Sequence, residues 1–137
     1  LINFYKKENS DGDHQYRIAS IYYKKQNYEQ ALVELQILLE NYPKSPWAEE
    51  TKFKIIEILY ALNRCPEARE QYRHFNLDYS NSRFKSEMDF VVASCLEEEG
   101  HLKDAYKRFK SLEGRYTYPA ILKMKLVGIE KRIEKKR

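Results

Sequence analysis

Apolar positions along the chain recur at three- and four-residue steps, the period of a helix, and nowhere alternate as in a strand. Tyr16, Ala19, Tyr22 and Tyr23 share one helical face, and Asn27 breaks the pattern as a residue that tolerates the left-handed conformation ending a helix. Ala31, Leu32, Leu35, Leu38, Leu39 and Tyr42 form the stripe of a second helix. Pro43 stops it, and Pro46 opens the next helix, where a missing N–H costs nothing. The same alternation predicts helices over about 47–62 and 66–79, with Asn63 at the break and Pro66 in a first turn. It predicts two more over about 84–98 and 102–115, separated by Gly100. A seventh helix starts near Pro119 and carries Ile121, Leu122, Met124, Val127, Ile129 and Ile133; it takes the register of a fourth first helix and covers the last hairpin, the alternative being that its outer face continues into further repeats.

A shift of 37 residues superimposes the chain on itself twice. Ala31, Ala68 and Ala105 coincide, as do Tyr42, Tyr79 and Tyr116. Class-matched sets include Tyr16/Phe53/Phe90/Val127, Leu35/Tyr72/Phe109, Leu38/Phe75/Leu112 and Trp47/Phe84/Ile121. The alanines have a physical reason: paired helices approach closest where one side chain is small. A hairpin of this kind cannot bury its apolar face alone, so neighbouring hairpins must stack.

These residues resemble the tetratricopeptide repeat family over residues 12–122 and on into the last helix. Ala19 and Ala93 match the small position of the family's first helix, from which Ile56 departs. Ala31, Ala68 and Ala105 match that of the second helix. Pro43 matches the closing proline, while Ser80 and Thr117 depart. The unit here is longer than the family's usual 34 residues. The extra residues lie in Asn41-Tyr42-Pro43-Lys44-Ser45-Pro46-Trp47-Ala48, a linker similar to that of bacterial envelope members such as the lipoprotein of the outer-membrane β-barrel assembly machine and the coordinator of the Tol–Pal system. The resemblance implies an all-α, right-handed α-solenoid: hairpins over about 12–48, 49–85 and 86–122 and a capping helix over about 119–137, in one domain spanning 1–137. It implies protein–protein scaffolding in the bacterial envelope or periplasm, with a cytoplasmic setting as the alternative. Both ends of the chain read as cut from a larger protein, since it starts at Leu1 and stops inside a helical pattern.

In such a stack the first helices line a concave groove. The partner-binding residues implied are Tyr16, Ser20, Tyr23 and Lys24 in the first hairpin, Phe53, Glu57 and Tyr60 in the second, and Glu87, Phe90, Ser94 and Glu97 in the third. That is an aromatic floor with acidic edges, suited to a basic or apolar peptide segment. The competing reading of Tyr16, Phe53 and Phe90 is that they are buried between helices and only stiffen the stack.

Composition narrows the picture. Four glycines and four prolines among 137 residues are too few turns for a β-sandwich or barrel. No apolar run reaches the length of a membrane span. The net charge of +4 is local, because residues 123–137 carry seven basic and two acidic side chains and leave the rest at −1. A basic end on a neutral body fits the dipole preference at a helix C-terminus. The alternatives are nucleic-acid binding through that helix, or a purely structural spacer or oligomerisation module. Glu97-Glu98-Glu99 reads as a solvated face, and His14, His74 and His101 as scattered solvent-facing residues. No phosphate loop, nucleophile elbow or metal-ligand spacing is present, so no enzyme activity, metal or cofactor is expected. Cys95 reads as a small core hydrophobe and Cys65 as a turn residue, and the strict geometry of disulfides argues against a bond between them.

Overall fold

The computed structural model describes residues 11–136; Leu1, Arg137 and the outermost stretches of the predicted 1–137 domain lie outside the described residues. Those residues form seven helices and no strand. The chain divides into two compact units, 1–80 and 81–137. The first holds α1 (Asp13–Lys24), α2 (Tyr28–Asn41), α3 (Ala48–Ala61) and α4 (Cys65–Asp78). The second holds α5 (Lys85–Glu98), α6 (Leu102–Lys110) and α7 (Pro119–Lys135). Within each unit, helices consecutive in sequence pack against one another. The architecture is the expected all-α helical repeat, with three hairpins and a last helix.

The 37-residue period holds down to individual hydrogen bonds. Gln26, Asn63 and Gly100 each adopt positive φ, at 60°, 60° and 85°. The next amide then reaches back to close the preceding helix: Asn27 N to Tyr22 O, Arg64 N to Leu59 O and His101 N to Leu96 O, at 2.8–2.9 Å. These bonds satisfy carbonyls that a helix end would otherwise leave bare. The reversing residue is thus Gln26 and not Asn27. Asn27 instead starts α2, its side chain accepting from the Gln30 N–H at 3.4 Å.

The alanine triplet sits where the hairpins close. Ala31, Ala68 and Ala105 are fully buried, and their amides donate to the carbonyls of Asn27, Arg64 and His101. Ile56, the departure from the small-residue pattern, is fully buried as well. In the second unit Ala93 and Ala105 share a core with Leu102, Phe109, Leu112, Leu122, Leu126 and Ile129.

Three predicted details change. Pro46 precedes the N-cap Trp47 and lies in a turn instead of opening α3, because Ala48 N bonds back to Ser45 O. The α6 helix ends at Lys110, not near 115. Its last turns tighten to three-residue bonds (Leu112 N to Phe109 O, Glu113 N to Lys110 O), and the chain then reverses at Gly114 with φ 80°. Cys65 is a buried first residue of α4, Cys95 is fully buried in α5, and both are disulfide-bonded instead of free. Sequence spacing says nothing of the Cα separation on which a disulfide depends. Pro66 and Pro119 stand in the first turns of α4 and α7, as expected.

Candidate functional site

The first unit carries an open groove of about 300 Å³ between α1 and α3, with Leu35 of α2 in its lining. Helical spacing along α1 brings Tyr16, Ala19, Ser20, Tyr23 and Lys24 to it, and the one-turn pair Glu50 and Lys54 of α3 faces them. Four of the predicted site residues, Tyr16, Ser20, Tyr23 and Lys24, therefore converge.

Both tyrosines are held in place. The Tyr16 ring lies flat on Trp47, with centroids 4.3 Å apart and planes at 15°. Its hydroxyl donates to Glu50 Oε2 at 2.7 Å. Burial, and then the Glu50 carboxylate, hold its phenol well above the usual range. Tyr23 meets Tyr28 edge-on at 5.8 Å, and Lys54 Nζ lies 4.6 Å from its ring centroid. Burial and the Glu57 carboxylate raise its phenol too. Lys54 pairs with Glu57 at 3.4 Å, so cation, carboxylate and ring form one connected wall.

The remaining predicted residues lie outside the lining of this groove. Phe53 is 6% exposed and Ser94 2%, too buried to present a surface as groove-facing residues. Phe53 follows the competing reading of a buried stiffener, and Ser94 turns its hydroxyl to Phe90 O at 2.9 Å. Tyr60 is half-buried. Phe90 stacks on Tyr116 at 4.4 Å and meets Phe109 edge-on at 5.1 Å. Glu87 accepts from the Thr117 hydroxyl at 2.8 Å. Glu97, read as part of a solvated run, is instead tied to Lys125 at 2.8 Å and Arg132 at 3.0 Å, while Glu98 and Glu99 are exposed. His74 and His101 are exposed, but His14 is half-buried.

Glu50, Lys54 and Trp47 were absent from the sequence-based site. Glu50 was within reach of the same argument, since it lies 37 residues before Glu87, which was included. The wall presents rings of fixed orientation, a hydroxyl at Ser20 and charges of both signs at the rim. Among the described residues no cluster of three or more His, Cys, Asp or Glu could hold a metal ion.

Residues 15–45, covering most of α1 and all of α2, match the tetratricopeptide repeat family. Repeats of this family generally mediate protein–protein interaction and are non-catalytic. No curated protein matches the chain.

Proposed function

We propose that the chain is a protein-interaction scaffold whose α1–α3 groove receives an apolar segment of a partner polypeptide. The observation that carries this reading is the pre-set pair of Tyr16 and Tyr23 flanking an open hollow. Rings already fixed by Trp47, Glu50, Tyr28 and Lys54 lose little freedom on contact, and aromatic anchors of this kind dominate recognition surfaces. An aliphatic or aromatic side chain would seat between them, with its backbone against Ser20 and Lys24. Lys24 and Lys54 on the rim stand against Glu50 and Glu57, so its charges largely offset and the apolar floor selects the ligand.

The setting we infer is the bacterial envelope. The Tyr42-Pro43-Lys44-Ser45-Pro46-Trp47-Ala48 linker supports it, and so does the disulfide state of both cysteines, which an oxidising compartment maintains.

Selection of a displayed random-peptide library on the chain tests the groove. Enriched peptides should share a large apolar residue. They should lose binding to Tyr23→Ala and Ser20→Arg while far-UV helicity is unchanged. Peptides indifferent to both substitutions would move the site elsewhere.

A further inference from the structure

The last helix has two dissimilar faces. Leu122, Leu126 and Ile129 are buried in the core of the second unit, with Ile133 packed against it. On the opposite side, at 100° per residue, lie Ala120, Ile121, Met124, Val127 and Gly128, followed one and two turns on by Lys131 and Lys135. Met124 is 74% exposed, Ile121 46% and Val127 41%. At the positions in register with Val127, Tyr16 is covered by Trp47 and Phe90 by Tyr116.

Gly128 is the second observation. Glycine is the poorest helix former after proline, and this one lies inside a helix with ordinary backbone angles. A Cβ built there meets nothing within 4 Å. Among the described residues, none needs a glycine at this site. A bare backbone at the centre of an apolar patch is what the close approach of another helix uses.

Charge selects among the occupants. The exposed face carries Lys131 and Lys135 along its middle, with Glu134 at its edge one heptad on from Val127. The two glutamates of α7 lie to the side, where Glu130 accepts from Tyr106 Oη at 2.6 Å and Glu134 borders a hollow shared with Tyr106. Lys125 and Arg132 are committed to Glu97, which leaves Lys131 and Lys135 to meet a ligand. A second copy would set these two cations against the same cations, with only the edge carboxylate Glu134 in return. A lipid surface gains nothing from a glycine.

We propose that the outer face of α7 docks an amphipathic helix of a partner protein, apolar opposite residues 120–128 and acidic at the end opposite Lys131 and Lys135. This surface is separate from the α1–α3 groove, and neither proposal depends on the other.

The test uses a synthetic amphipathic peptide of about four helical turns, with a leucine–alanine stripe and glutamates at one end. Its control carries lysines at that end. The acidic peptide should bind in fluorescence anisotropy, and the lysine version about tenfold or more weaker. Met124→Glu, and the pair Lys131→Glu with Lys135→Glu, should each weaken binding of the acidic peptide by a similar factor. Gly128→Ala should raise the thermal midpoint of the free chain while lowering peptide affinity. Equal binding of both peptides, or affinity untouched by Met124→Glu or by Gly128→Ala, overturns the proposal. So does a concentration-dependent dimer that Met124→Glu abolishes, which would make the occupant a second copy. Retention on phosphatidylglycerol-containing vesicles without peptide binding would make it a lipid surface and overturn the proposal as well.

Discussion

The Tyr16 hydroxyl donates to the Glu50 carboxylate at 2.7 Å and joins α1 to α3 across the floor of the groove. One bond thereby ties the first hairpin to the second and fixes the orientation of an aromatic ring that lines the groove. Removing the hydroxyl separates these two effects. Tyr16→Phe keeps the stack on Trp47 and strands a partly buried carboxylate, so it should cost about 1 kcal/mol of stability. Chemical denaturation should show that loss with an unchanged slope.

The same bond predicts a response to alkali. The Tyr16 phenol is raised by burial and by Glu50, and the Tyr23 phenol by burial and Glu57. An unfolded tyrosine loses its proton near pH 10. Above that pH the folded chain holds protons that the unfolded chain has released, so stability falls as pH rises. The contribution is fully present below about pH 10 and is lost as pH climbs toward the folded values. Thermal midpoints recorded between about pH 8 and 11 should therefore drop steeply at the top of the range, and less so in Tyr16→Phe.

Gln26 occupies a left-handed position that Asn63 and Gly100 fill with better-suited residues. A side chain with a Cβ is strained there. Gln26→Gly should stabilise the chain by about 0.5–1 kcal/mol, and Gly100→Ala should destabilise it by a similar amount. Urea midpoints for the two variants should move in opposite directions.

Ala68 is fully buried in α4, which packs against α3. Ala68→Leu adds volume where there is none and should cost about 1–3 kcal/mol. An unchanged thermal midpoint would mean that the 37-residue register does not describe the packing.

Both cysteines are disulfide-bonded, so the denatured, unreduced protein should show no reactive thiol and the reduced protein two. Reduction should lower the thermal midpoint, since a disulfide restricts the unfolded chain. Free thiols in protein purified without reductant would withdraw the support that these residues lend to an oxidising compartment.

Much of the fold was legible because repetition multiplies weak signals. One alanine at position 68 says little, but three at 31, 68 and 105 locate the hairpin contacts. The Tyr42/Tyr79/Tyr116 set marks the positions where each amide returns to Leu38, Phe75 or Leu112. What the sequence left open depends on single contacts that have no period. Gln26 and Asn27 look interchangeable as breakers until the backbone shows which one reverses. Glu97 looks solvated until Lys125 and Arg132 arrive from a helix 28 and 35 residues away. The groove was half visible. Its α1 wall follows from helical spacing, whereas Lys54 belongs to it through the Tyr23 ring, a tertiary contact that spacing does not encode.

In the proposed complex a partner's apolar segment lies between Tyr16 and Tyr23. Amide chemical-shift mapping of the chain, titrated with a peptide selected on it, tests this most directly. The largest shifts should fall over residues 16–24 and 50–54 and be abolished by Tyr23→Ala. Saturating binding that leaves both stretches unmoved would contradict it.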